Sequence, residues 1–537
     1  MRLTPLLLGA WLVLLPASPS PGAPPDAGPA PRAEGEGPFH RLILRGATLI
    51  DGTGAPPIGP VDIVIAGNRI ASVESVGNPG APIDPEARPK AAAGDRELDL
   101  AGMYVLPGFI DLYGHLGEPL DYVAKLWLAH GVTTVREPLC LGGMKACLEL
   151  KGKSDRNEIA APRIEPYLYF GQGRDEVPFR DAGDARKWIA EAARQGAPGI
   201  GFWQGERPDV LAAALDEAGR RGLRTACHLA PKYAARVDAL DVARWGLGLL
   251  EHWYGVPEAL LTDRALLDYP PDYNDSDEQQ RFAQAGRLWR QAAPPGSARW
   301  NAVIDELAGR RLAMVPTLVL YEAPRDLMRV SRAEWHEQYT LPSLWDAFTP
   351  NRAAHAAPWF YWTTEDEVAW RDNYRLWMTF LNDYKNRGGR VAVGSDSGFM
   401  YNLYGFGYVR EMELLREAGF QPLEVIRAAT LVGAEALGRG AELGTVEPGK
   451  LADLVIVAEN PLQNLKVLYG TGALKLDRDN RPVRVGGVRY TLKNGILYDA
   501  KQLLADVRKM VAAAKAKDGR RLLPPGMTED PAAPPRP

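Results

Sequence analysis

Only three cysteines, Cys140, Cys147 and Cys227, occur in 537 residues. That is too few for a disulfide framework holding up a small scaffold. None lies in the first 100 residues, so no lipoprotein-type N-terminus is expected. No stretch stays apolar for the roughly twenty residues that a membrane-crossing helix needs. Charge of one sign is not in excess either: 63 Lys and Arg stand against 67 Asp and Glu, a net charge of −4. With no basic cluster along the chain, a nucleic-acid partner and a polybasic membrane contact are excluded. Histidine is scarce at seven copies, so each can be weighed singly.

What is present suits a large globular protein. A composition of 46% hydrophobic and 24% charged residues supports a sizeable buried core. At the N-terminus, Arg2 precedes an apolar run from Leu6 to Leu15, then small residues and prolines. Ten residues are too short to span a bilayer, and the pattern is that of a secretory signal. Residues 1–23 are read as that signal and 24–38 as a flexible Pro/Ala-rich linker. The expected location is the periplasm or the cell exterior, with no membrane span left in the mature chain.

Beyond the linker, short β-branched runs such as RLILRGATLIDG and PVDIVIAGNRIASVESV alternate with Asp-Gly and Gly-Asn turn signals, which suits hairpins. From about Gly108 to Gly438 the rhythm becomes strand, helix, strand. Pro208 sits at a helix N1 position opening PDVLAAALDEAGRRG, and Gly222 closes it before LRTACHLA. Such alternation over more than 300 residues predicts an α/β fold with a parallel (β/α)8 TIM-type barrel. Strands return after Leu443, so a small β-sandwich is expected from both chain ends. The expected division is 39–104 for its N-terminal part, 105–439 for the barrel and 440–499 for its C-terminal part. A helix and tail, 500–537, follow.

Four histidines, His40, His130, His336 and His355, follow no strand-end pattern and are read as surface or core residues. The other three differ. His115, His228 and His252 each end a candidate strand (GFIDLYGH, LRTACH, LLEH), and Asp396 ends RVAVGSD. In a parallel barrel all these ends open on one face, where functional loops gather. Three imidazoles and a carboxylate there suit a zinc site with an open position for water, Asp396 taking the water's proton.

The segments GATLIDGTG, VLPGFIDLYGHLG, LAHGVTTVRE, LLEHWYG, VAVGSDSG and LGTVEPGKLADLVIVAENPL together resemble the amidohydrolase superfamily, its imidazolonepropionase- and prolidase-like members above all. The resemblance covers about residues 41 to 499. It implies a metal-dependent hydrolase barrel joined to a β-sandwich, in agreement with the reading above.

Two departures stand out against it. Where the family carries His-x-His on its first barrel strand, this chain has Tyr113-Gly114-His115. With a reference pKa near 10, Tyr113 is expected as a wall residue contacting substrate and not as a phenolate ligand. Where many relatives carry a bridging carbamylated lysine, this chain has Gly201, so a lysine-bridged two-metal centre is not expected. Near the second strand, Cys140 matches the position of the cysteine ligand of D-aminoacylase-like relatives, with Glu137 as the carboxylate alternative. Pairing of Cys140 with Cys147 competes with that use.

Two functions follow. One is an exported hydrolase that cleaves a C–N bond (amide, cyclic amide or dipeptide) in a small molecule, using a divalent metal read as one zinc ion. His115, His228, His252 and Asp396 are its ligands, and Asp396 moves the proton. The other is a degenerate barrel that binds a ligand or partner without turnover. The aromatic stretch from Pro257 to Trp370 is expected to form a lid, with no residue assigned. The sequence leaves the oligomeric state open.

Overall fold

The computed structural model describes residues 32–519 except 141, 175–176, 204–206, 230–235, 264–266, 275–276, 350–358 and 360. The expected signal segment, residues 24–31 of the linker, His355 and the tail beyond 519 lie outside the described residues.

Five strands open the fold: β1 (Arg41–Leu49), β2 (Ile58–Ala66), β3 (Arg69–Ser75), β4 (Arg96–Asp99) and β5 (Tyr104–Pro107). Eight short parallel strands follow, β6 (Phe109–Asp111), β7 (Val132–Glu137), β8 (Arg163–Tyr169), β9 (Gly199–Phe202), β10 (Arg224–Cys227), β11 (Leu249–Glu251), β12 (Ala313–Val315) and β13 (Arg390–Val391). They neighbour one another in chain order. Backbone bonds from Leu112 N–H to Val393 O (3.1 Å) and from Asp396 N–H to Tyr113 O (2.7 Å) join the first strand to the last. That closes the sheet as a TIM-type barrel. Inside it lie Ile110, Leu112, Tyr113, Tyr167, Ala226, Leu249, Ala313, Val315 and Ala392.

The helices between strands form where the sequence caps them. Helix α1 (Ala182–Arg194) starts at Asp181, whose carboxylate accepts from Asp184 N–H and satisfies an otherwise orphaned donor. Helix α2 (Pro208–Arg220) starts on its proline and buries Val210, Leu211 and Leu215.

The chain then returns through β14 (Leu454–Val457), the separate hairpin β15 (Ala473–Leu476) with β16 (Pro482–Val485), β17 (Val488–Lys493) and β18 (Ile496–Asp499). Both chain ends share one sheet, ordered β18-β17-β14-β5-β1-β2-β3, with β4 beside β1. The apolar run of β14 is buried on both faces. Leu454 and Ile456 join the sheet's own core, while Val455 and Val457 pack on the barrel side. Asp453, just before it, pairs with Arg163 of β8 and accepts from Asn494 N–H (2.7 Å), which ties the sheet to the barrel. Strand β5 runs to Pro107, so the sheet reaches beyond the boundary expected at 104, and Gly108 alone separates it from β6.

Much of the aromatic stretch from 257 to 370 is core, while Tyr361 stays exposed and Tyr321 lies 5.5 Å from the His252 ring. Trp289, Trp300 and Trp370 are buried, and the first two lie 5.9 Å and 5.2 Å from the Phe380 ring. His130 and His336 are core residues as expected; His130 faces Leu126 O, and His336 faces Val330 O and Thr340.

Because β14 lies between β5 and β17, deleting residues 443–499 strips β5 of its partner and bares an apolar edge. The truncated chain is expected to be insoluble. A soluble, monodisperse product in size-exclusion chromatography would show the two ends to be independent.

Candidate active site

The barrel brings His115, His228, His252 and Asp396 to one face. His228 and His252 directly follow β10 and β11, and His115 and Asp396 lie a few residues past β6 and β13. The strand ladder runs on into the site, with His228 N–H donating to Phe202 O (2.8 Å) and His252 N–H to Val315 O (2.9 Å). Alternation along a strand puts His228 on the lumen side with Ala226. For His252 alternation alone gives the wrong side, since Leu250 belongs to the outer core. Its backbone is left-handed (φ 61°), which turns the ring back over the lumen to 5.2 Å from Tyr113. Asp396 is left-handed too (φ 48°). Non-glycine residues held there are strained, and such strain gathers at functional sites.

His115 stands between two carboxylates. Its Nε2 is 3.3 Å from Asp396 Oδ1 and its Nδ1 3.6 Å from Glu137 Oε1. Burial works against a charged ring, but Asp396 and Glu137 outweigh it and raise the imidazole pKa to about 10. Glu137 is itself anchored, accepting from Leu116 N–H (2.6 Å) and Leu139 N–H (3.0 Å). His252 behaves oppositely. Burial, then the nearby His228, His115 and Arg136, hold it well below its ordinary value, so it is neutral. Its Nδ1 lies 2.6 Å from the Thr317 hydroxyl, which donates its only proton to Pro316 O. Nδ1 therefore carries the ring proton, and the Nε2 lone pair faces Asp396 Oδ2 at 3.9 Å. His228 completes the group, its ring 4.6 Å from that of His252 and stacked at 5.0 Å on Trp203.

Beneath the imidazoles, Tyr113 is buried against His115 and His252, over the Arg136 guanidinium. Burial and then the charges of Glu251 and Asp396 push its phenol well above the usual value. Arg136 donates to Leu112 O and pairs with Glu251, a buried ion pair under the site that the sequence reading missed. Thr317 was missed as well.

Of the two uses left open for Cys140, thiolate ligand or partner of Cys147, the structure has the second: its sulfur is bonded to Cys147. Gly201 is explained by its neighbour. A Cβ there would lie 2.3 Å from Pro138 O, so the carbonyl of the β7 loop fills the place a lysine side chain would leave from. A lysine-bridged two-metal centre does not fit here. Among the described residues no group of three or more His, Cys, Asp or Glu closes on one ion position as the side chains stand. The donor chemistry nevertheless suits one ion, since the His252 lone pair and the Asp396 carboxylate are two acceptors facing each other, with His228 beside them.

The sequence model described as Amidohydrolase family matches residues 378–496, a stretch that contains Asp396 and most of the returning strands. The N-acyl-D-glutamate deacylase of Alcaligenes xylosoxydans xylosoxydans is 30% identical over 217 residues, covering 37% of this chain and 40% of that protein. The match thus spans less than half of that relative's length. The solved structure of a bottromycin amidohydrolase is similar at TM-score 0.60 and 21% identity, over 89% of this chain and 91% of that one. A Xaa-Pro dipeptidase with methionine in its active site is similar at TM-score 0.56 and 17% identity, over 86% and 100%. Fold and site together define an α/β-barrel protein with imidazoles and carboxylates gathered at its strand ends. Over its C-terminal part the chain is similar to the amidohydrolase superfamily.

Gly201→Ala should cost about 1–3 kcal/mol, because its Cβ meets backbone and not a movable side chain. Urea unfolding of both proteins measures it, and an unchanged midpoint would mean that the β7 loop yields freely.

Proposed function

We propose that the protein hydrolyses a C–N bond, in an amide, cyclic amide or dipeptide, at the face where His115, His228, His252 and Asp396 meet. The observation that carries this is Asp396, whose two oxygens face His115 and His252 at 3.3 Å and 3.9 Å. The superfamily and the C–N hydrolases among its relatives support the reaction class. Asp396 accepts the proton of the attacking water and returns it to the leaving nitrogen, the two halves of general base and acid catalysis. His115, charged between Glu137 and Asp396, orients the Asp396 carboxylate. Neutral His252, fixed by Thr317, presents a lone pair and not a proton to the reacting centre. His228 and His252 with Asp396 are the residues that would hold a single divalent ion, which when bound lowers the pKa of water and polarises the carbonyl.

Metal analysis of the purified protein should find at most one zinc per chain; two would overturn this assignment. His228→Ala is expected to lose both the metal and hydrolysis across an amide and dipeptide panel. Asp396→Asn should keep more of the metal yet lose about 10²–10⁴-fold in rate. Tyr113→Phe should keep the metal. A folded wild type that turns over nothing, with or without zinc, would favour the binding protein that Tyr113 and Gly201 suggest.

Export belongs to the same proposal. The Cys140–Cys147 bond supports it, since such bonds persist in oxidising compartments. N-terminal sequencing of secreted material should give a start between about Ala17 and Ala33. Recovery of Met1 would count against cleavage.

A further inference from the structure

The rings of the site form an unbroken arc. Trp203 stacks on His228 (5.0 Å between centroids), His228 meets His252 (4.6 Å), and His252 meets Tyr113 (5.2 Å). Tyr113 meets His115 (5.3 Å), and His115 meets Phe399 (5.4 Å). Tyr113 and His252 in the middle are buried, whereas the ends are not. Trp203 is half-buried, and Phe399 is 36% exposed.

An end ring left open is not core packing, and at Phe399 the backbone is built to keep it so. Two non-glycine residues that follow it, Met400 and Tyr401, are left-handed (φ 45° and 63°). Asn402 locks the turn: its N–H donates to Phe399 O (2.8 Å), and its carbonyl accepts from Gly398 N–H (2.9 Å). Its side-chain amide donates to Ser395 O (2.6 Å) and Asp396 O (3.3 Å). One strained turn therefore fixes the Asp396 backbone and holds an exposed apolar ring against His115. Strain kept at such a place has a use at the site.

We infer that Phe399 and Trp203 are specificity residues, and that the substrate carries an aromatic ring beside its scissile amide, seated against them. Ring-to-ring contact adds affinity beyond the area it buries, so aromatic substrates gain over aliphatic ones of like size. The inference rests on the site proposed above but not on turnover, and the test separates the two.

The full-length mature protein is titrated by calorimetry with three achiral probes: N-benzoylglycinamide, N-cyclohexanecarbonylglycinamide and N-acetylglycinamide. The benzoyl compound should bind about tenfold more tightly than the acetyl compound, and more tightly than the cyclohexyl one. Phe399→Ala and Trp203→Ala should each remove most of that preference while acetyl affinity stays within about twofold, and Phe399→Tyr and Trp203→Phe should retain it. Equal affinities for the three probes, no binding of the benzoyl compound at millimolar concentration, or an equal loss for all probes in the variants would each overturn the inference. Release of products is followed separately. A retained ring preference without turnover would sink the hydrolase reading and leave this one standing.

Discussion

The site depends on the seam that closes the barrel. Asp111, wholly buried at the end of β6, accepts from Ser395 N–H (2.8 Å) and the Ser395 hydroxyl (2.6 Å) across that seam, and from Tyr113 N–H (3.2 Å) on its own side. Burial pushes its carboxyl up to about 6 while those donors pull the other way. One side chain therefore fastens the start of the barrel to its end, and the residues it fastens flank Tyr113, His115 and Asp396. The backbones approach closely there. A Cβ on Gly394 would meet Val315 at 2.4 Å and Tyr113 at 3.0 Å, so only glycine lets the seam close. Asp396 reaches His115 because of this closure.

The departures from the superfamily pattern are coupled through the same few ångströms of barrel. With tyrosine at 113, the lumen floor is an aromatic ring lying over the Arg136 guanidinium, which also stacks over Tyr167 at 4.9 Å. That cation is matched by Glu251, so the charge under the site is balanced inside the protein. With glycine at 201, the β7 loop settles inward through Pro138 O, and the same loop carries Glu137 to His115 and Cys140 to Cys147. Restoring a lysine at 201 alone would collide with that loop. The positions have to change together.

Much of this was legible in the sequence. Strand-end histidines mark a barrel face because parallel strands end together, and β10 delivers His228 as its alternation implies. The shared sheet was legible from the two-faced apolar run of β14. What was not legible follows from dihedral angles and from contacts distant in sequence. Nothing in LLEH says that His252 turns left-handed and so faces the lumen. Thr317 lies in MVPTLVLYE, which reads as one strand, but β12 stops at Val315 and the threonine leaves in a left-handed turn (φ 51°). Arg136 and Glu251 are 115 positions apart and read as ordinary charges until the barrel closes on both. For the buried tryptophans of the aromatic stretch the lid reading failed for a related reason. A tryptophan-rich helix looks the same in sequence whether its rings face a substrate or a neighbouring helix.

Neighbours that share almost everything else have been driven apart electrostatically. His115 and His252 touch the same aspartate and the same tyrosine ring. His115 also has Glu137, and two carboxylates are enough to keep its proton despite burial. His252 is instead kept neutral by burial, by the two other imidazoles and by the Arg136 charge, while Thr317 fixes which nitrogen carries its proton. One imidazole becomes a fixed cation and the other a lone-pair donor, and the carboxylate between them meets a different partner at each oxygen. Separating like groups in this way leaves a charged and a neutral imidazole side by side in one site. Here the separation is set by Glu137 beside one ring and by burial of the other among cations.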